Sequence, residues 1–331
     1  MHKEIIKDIG EKELIKRIAK YMPANQVSDD CAFIKNKKED LLINTDLLVE
    51  NTHFNNKIIS PRDIGWKAVT TNYSDLISSG CIEFIGINIG LVLTSNTEWY
   101  WVKELYEGFK EALNHFGGSI LGGDCSRGQN KMISITAIGF QSKIKLRRNA
   151  CKSGEVILTS GIHGLSKLGL LISKNEINIK DLDLCEKLVD LSLNAFFRPK
   201  PKHKIIKNIL KSSKLYEKKE IGCTDSSDGF YQAISDLSIE SRCKAVIDYQ
   251  KLPKNKYWPN GKEWDQFYFY GGEDYELLIS LPREWANKLI QMDTDITEIG
   301  YFTDGNPKVE IKNLPNTDID NYLENNSYSH F

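Results

Sequence analysis

The sequence predicts an α+β fold in two domains, on three observations. At 331 residues the chain exceeds the usual size of one domain. Strand-length apolar runs and longer stretches of helical period follow one another in both halves without a strict strand–helix–strand rhythm, which argues against a doubly wound sheet. Residues 141–150 are polar and basic, and a fresh apolar run follows them. The boundary is therefore drawn between residues 145 and 146, giving domains 1–145 and 146–331.

The elements follow in order. Ile5, Ile6, Leu14, Ile15 and Ile18 predict an amphipathic helix over residues 3–21. Apolar runs at 32–34 and 41–44, separated by the polar KNKKED, predict a hairpin. Ser60-Pro61-Arg62-Asp63 supplies an N-cap, a proline at the first helical position and an acid in the first turn. That helix should span 62–79, with Gly80 ending it. A strand is expected at 85–93. A helix at 97–116 would bury Val102, Leu105, Phe109, Leu113 and Phe116 and stop at Gly117. Strands at 119–121 and 132–140 complete the first half. The second half opens with a strand at 156–159 and a helix, then two helices and a strand near Ile221. A helix at 229–238 follows TDSSD, a strand at 275–281 follows GGED, and the Asn-rich residues 312–327 read as loop.

Composition excludes several function classes. Lys+Arg is 44 against Asp+Glu 45, a net charge of -1, so nothing favours a nucleic-acid or membrane-surface protein. The charged N-terminus lacks the apolar core of a signal peptide, and no stretch approaches the length of a membrane span. The seven cysteines contain no C-x-x-C. They read as reduced thiols of a cytoplasmic protein rather than a zinc site.

The aspartates carry the chemistry. VSDDCAFI, LLINTDLL, SILGGDCSRG and IGCTDSSDGF repeat one grammar: an apolar run, then small polar residues or Gly, then Asp. Asp29 and Asp30, Asp46, Asp124, Asp225 and Asp228 arise this way. Asp75 instead shares one helix face with Lys67 and Thr71 at i, i+4, i+8. Each segment has a plain structural alternative. Asp29-Asp30 also suits a solvated turn, Asn44-Thr45-Asp46 a polar strand end, and Gly122-Gly123-Asp124 a simple turn. Ser227 or Asp228 also suits a helix cap, Gly271-Gly272-Glu273-Asp274 a hairpin or bulge, and Arg147-Arg148 surface charge. As a set, carboxylates flanked by Gly, Ser and Thr suit hard divalent cations that in turn hold phosphates. No Walker loop, dinucleotide fingerprint or protein-kinase signature competes for that role. From the residues alone, the chain is a Mg²⁺-dependent enzyme acting on phosphates.

SDDCAF, NTDLLVENTHF, PRDIGWKAVTTNYSDLISSG, GGDCSRG, RNACKSGE, FFRPKP, DSSDGF, GGEDYELL and the terminal SYSHF occur in the order found in the thiamine-monophosphate kinase family, which the chain resembles from about residue 28 to Phe331. The resemblance implies the two-domain aminoimidazole ribonucleotide synthetase-like fold, with N-terminal sheets pairing across a homodimer. It implies transfer of the ATP γ-phosphate onto thiamine monophosphate with several Mg²⁺ ions. The family's metal positions fall on Asp30, Asn44, Thr45, Asp46, Asp75, Asp124, Asp225 and Asp228. Its nucleotide contacts fall on Tyr106, Gly123, Asp124, Arg148 and Ser227, and its thiamine-phosphate contacts on His53, Glu273 and Tyr328. Asn44 replaces a residue that is often Ser or Thr, Ser28 a usual Gly, and Glu155 a common Asp. Two other readings remain. One is a related ATP-dependent synthetase making a selenophosphate or purine-pathway product; the other is a nucleotide-sensing protein without catalysis, which would be expected to lack the metal carboxylates.

Overall fold

The computed structural model describes residues 32–34, 40–179, 182, 184–213 and 218–315. The expected helix at 3–21, together with Asp29, Asp30 and Tyr328, lies outside the described residues. Two sheets and eight helices form an α+β architecture among those described.

The first sheet has the order β1-β2-β5-β3-β4, built from β1 (Ala32–Ile34), β2 (Leu41–Val49), β3 (Cys81–Leu93), β4 (Ser119–Arg127) and β5 (Met132–Gln141). The β1–β2 pairing is antiparallel, as expected for the hairpin, and only β3–β4 is parallel. Three strands are clearly longer than their sequence predicts, β3 by four residues at its start and β2 and β4 at their ends. β2 continues through Asn44-Thr45-Asp46 to Val49, because the ten-residue β5 offers a partner to every one of its residues. β4 continues through Gly122-Gly123-Asp124, which therefore form strand rather than turn. Here glycine serves close approach: a Cβ on Gly123 would lie 2.2 Å from the Ile89 carbonyl oxygen.

Helix α1 (Pro61–Ser78) starts where the sequence places it, with the Ser60 side chain accepting from the Asp63 amide. It packs on β2, β3 and β5, while α2 (Trp99–Phe116) packs along it. The two helices cross closely at glycines: a Cβ on Gly65 would lie 2.1 Å from Leu105 O, and one on Gly108 2.0 Å from Arg62 O.

The second sheet has the order β12-β9-β11-β7-β10-β8-β6 and is largely antiparallel. Its strands are β6 (Lys145–Arg147), β7 (Val156–Thr159), β8 (Glu220–Asp225), β9 (Lys244–Asp248), β10 (Leu277–Leu281), β11 (Thr297–Thr303) and β12 (Val309–Lys312). The remaining helices are α3 (Leu165–Ser173), α4 (Glu186–Phe197), α5 (His203–Ser212), α6 (Phe230–Ser241), α7 (Lys262–Tyr270) and α8 (Arg283–Met292). The main apolar core runs from the first sheet through α1 and α2 to β7, β8 and β10 of the second. A second core gathers Phe230, Ile234, Leu237, Tyr268 and Phe269 of α6 and α7 under the second sheet.

This layering decides the environment of α1. With the first sheet and α2 around it, and β8 of the second sheet also in contact, its polar residues Lys67, Thr70, Asn72, Ser74 and Ser78 are buried with its apolar ones. The Lys67–Asp75 stripe is thus a partly covered polar seam rather than an open solvent face, with Lys67 buried and Thr71 and Asp75 half-buried.

Candidate active site

The seam begins at Asn44. β2 alternates its side chains, so Asn44 and Asp46 both face α1. The Asn44 amide Nδ2 donates to Asp75 Oδ2 at 2.6 Å and to Asn72 Oδ1 at 3.3 Å, and lies 3.5 Å from Asp46 Oδ2. Asn72 also accepts from the Asp46 backbone amide at 3.2 Å and donates to Ala68 O. Asp46 and Asp75, 29 positions apart, are thereby gathered around one amide.

Beside Asp75 on α1, Ser74 Oγ donates to Asp225 Oδ2 at 2.5 Å. Asp225 is the last residue of β8, and its Oδ1 accepts from Ser227 at 3.0 Å. Arg148 reaches the same strand end, with Nε donating to Thr224 Oγ1 at 3.1 Å. The capping alternative for Ser227 and Asp228 is not realised: Gly229 is the N-cap of α6 and no side chain caps it. Asp228 is exposed in the turn just before.

The GGEDY segment faces this end of the seam. Lys67 Nζ donates to Glu273 Oε2 at 2.7 Å, and Thr71 Oγ1 lies 2.9 Å from the Tyr275 hydroxyl. Glu273 and Tyr275 both adopt left-handed backbones, with φ of 65° and 53°. Asp274 between them accepts from the amides of Gly164 and Ser166 at the start of α3. Burial pushes the Asp274 carboxyl up to about 8, against the pull of those two donors. Burial also holds the Tyr275 phenol well above its usual range, and the charges of Glu273, Asp225 and Asp46 add to that.

Other expected residues stand apart. Thr45 Oγ1 meets Thr136 Oγ1 at 2.8 Å on the sheet face opposite Asn44. Asp124 is in register with Gly90, Ser134 and Leu47, the row beside that of Asp46 and on the same far face as Thr45. It is three strand spacings from β2, about 14 Å in a flat sheet. Tyr106 is half-buried on α2, its ring against Phe109 at 5.3 Å, and Gly123 lies in β4. His53 closes the turn after β2, its Nδ1 accepting from the Val49 amide at 3.1 Å. That bond leaves the proton of the neutral ring on Nε2. Sequence reasoning did not assign Ser74, Asn72, Thr71, Lys67 or Tyr275 to the site. The spacing of Lys67, Thr71 and Asp75 was the available signal for the helix residues.

Among the described residues no three His, Cys, Asp or Glu side chains converge as a metal group. Yet Asn44 Oδ1 is buried and accepts no hydrogen bond, beside two carboxylates that its own amide holds together. Turning the Asn44 amide over would aim Oδ1 in place of Nδ2 at both carboxylates, and that oxygen set suits a hard cation. Mg²⁺ commonly takes one or two protein carboxylates and fills its other positions with water and substrate phosphate. The residues fit on that basis.

The family model described as AIR synthase related protein, N-terminal domain, matches residues 28–141. A thiamine-monophosphate kinase from Prochlorococcus marinus is 43% identical over 305 residues, covering 92% of each chain. The chain belongs to the thiamine-monophosphate kinase family. A second member, from Synechococcus elongatus, is 30% identical and covers 95% of this chain and 94% of its own. The solved structure of AaThiL complexed with AMPPCP and TMP superposes with a TM-score of 0.84 at 26% identity, covering 100% of both chains. Family membership makes the protein a kinase. No helix among the described residues is long and apolar enough to cross a membrane.

Proposed function

We propose that the protein transfers the γ-phosphate of ATP to thiamine monophosphate, giving thiamine diphosphate and ADP, the last step in making that cofactor. The observation that carries this reading is the convergence of Asp46 and Asp75 on the Asn44 amide, in a family whose AaThiL member was solved with AMPPCP and TMP. Transfer is direct and in line, without a phospho-enzyme. The acceptor is a phosphate oxygen already largely deprotonated at neutral pH, so no strong general base is needed.

Bound Mg²⁺ would offset the repulsion between the two anionic substrates and stabilise charge on the transferring group. Asp46 and Asp75, with Asn44 Oδ1, would hold the ions nearest the reaction, and Asp225, Asp228 and Asp30 the flanking ones. Asp124 and Thr45 join this set on family likeness alone. Arg148 and Ser227, beside the end of β8, would hold ATP phosphates, and Gly123 and Tyr106 contact the nucleotide from β4 and α2. His53, Glu273 and Tyr328 would receive thiamine monophosphate. The division between residues 1–145 and 146–331 puts the cleft between the two sheets. The first domain would pair with a second copy through β4, a nine-residue strand exposed along its whole length, with Ile120 and Leu121 outward. The protein would work in the cytoplasm.

The test is an assay with ATP, Mg²⁺ and thiamine monophosphate, resolving products by chromatography, with free thiamine as control acceptor. Equimolar thiamine diphosphate and ADP, from the monophosphate alone, is expected. ATP binding without product would sink the reading.

A further inference from the structure

Lys67 is an unusual residue to find where it is. Its ammonium is buried on α1, 4.3 Å from the centroid of the Phe196 ring, and its described hydrogen bond goes to Glu273 Oε2 at 2.7 Å. Burying an ammonium is costly unless a partner compensates it. The partner here is not buried to the same degree: the Glu273 side chain is 38% exposed against 5% for Lys67. The pair thus has a fixed inner end and an outer end that opens to the cleft.

The backbone on the outer side is strained. Left-handed conformations at Glu and Tyr cost energy and persist only where surroundings over-determine them. Here the anchors alternate with the strain. Glu273 is tied by Lys67 and by its own amide to Ser227 O at 2.8 Å, and Tyr275 is tied by Thr71. Lys67 and Thr71 are one helical turn apart, so a single rigid face of α1 grips two residues two positions apart in the loop. Asp274 points the other way, to the start of α3.

We infer that Lys67 and Thr71 are positioning residues, a bracket on α1 that holds the Glu273 carboxylate toward the acceptor. The inference rests on the proposed role of Glu273 in receiving thiamine monophosphate. The bracket acts first on the acceptor side, since the side chains of the ATP-side residues bond elsewhere, Arg148 to Thr224 and the Ser227 hydroxyl to Asp225. Their link to Glu273 is the Ser227 carbonyl that accepts its amide.

The test has two readouts. Hydrogen exchange at residues 271–276 is measured in ligand-free wild type and Lys67→Met. Exchange about tenfold faster in the variant, with β7 and β10 unchanged, is expected of a loop that has lost its anchor. Unchanged exchange overturns the bracket, whatever the substrate. In turnover, Lys67→Met raises KM for thiamine monophosphate roughly tenfold, the loss expected of a charged hydrogen bond, and leaves KM for ATP within about twofold. Glu273→Gln produces the same rise, and the double variant adds nothing further. Equal rises for both substrates, or additive effects in the double variant, overturn the inference. A wild type that does not turn over thiamine monophosphate refutes the proposed reaction instead, and the exchange result then decides the bracket alone. Should Lys67→Met not fold, Thr71→Val keeps the shape of the helix face. Faster exchange at Tyr275 supports the bracket there, and no change refutes it.

Discussion

Ser74 on α1 donates a 2.5 Å hydrogen bond to Asp225 at the end of β8, linking the helix layer of the first sheet to the second sheet at a carboxylate that is 2% exposed. Ser74→Ala removes a donor from that buried carboxylate. A loss of about 1–3 kcal/mol in unfolding free energy is expected, read by urea denaturation. A change below about 0.5 kcal/mol would show that the bond is inconsequential.

Asp46→Asn and Asp75→Asn should each lower kcat about a hundredfold or more and weaken activation by Mg²⁺ in a titration. Tyr328→Ala should instead raise mainly KM for thiamine monophosphate. Similar small effects from all three would contradict the assignment of Asp46 and Asp75 to the metal.

Gly65→Ala tests the helix crossing. Its Cβ would lie 2.1 Å from the Leu105 carbonyl, a backbone atom that cannot swing aside. The helices must separate, at a cost of about 3 kcal/mol. A thermal midpoint within a degree or two of wild type would mean that the α1–α2 contact is slack.

His163 supplies a pH prediction. It is fully buried, with Nε2 against Thr159 Oγ1 at 2.8 Å, and burial pulls its imidazole down to about 3. Between pH 6.5 and about 3 the unfolded chain takes up a proton that the folded chain refuses. Its contribution is therefore complete above 6.5 and is lost as pH falls, by up to about 1.4 kcal/mol per unit. Asp274 and Glu276, pushed up to about 8 and about 7, give the opposite slope. The difference between His163→Gln and wild type isolates the histidine. That difference should shrink as pH drops from 6.5 to 5, and a constant difference would count against a neutral buried ring.

The proposed pairing through β4 predicts a wild-type dimer in light scattering that Leu121→Glu converts to a monomer, since a charge would enter the proposed strand-to-strand contact. An unchanged mass at micromolar concentration would remove β4 from the interface.

Much of the scaffold was legible in the sequence because its signals are local. Ser60 and Pro61 start α1 through their own backbone and side-chain geometry, and Val156–Thr159 is a short apolar run bounded by polar residues. The motif series carried the family reading, which the relatives bear out. The extent of β2 and β4 was not legible. Asn44-Thr45-Asp46 and Gly122-Gly123-Asp124 resemble strand ends and turns, and only the long neighbours β5 and β3 keep them extended.

By itself the sequence determined the elements of the first sheet, the two helices packed on it and part of the second half, with the oxygen-rich side chains and the family they imply, because caps, periodicity and residue chemistry act over a few positions. In it β6, β9, β11, β12, α7 and α8 were not legible. Tertiary structure decided that Asn44, Asp46 and Asp75 share a face while Thr45 and Asp124 take the other. It also decided that the polar stripe of α1 is partly covered, with Lys67 buried and Thr71 and Asp75 half-buried. Strand alternation assigns a face only once a partner sheet is present, and a helix has a solvent side only if nothing packs there.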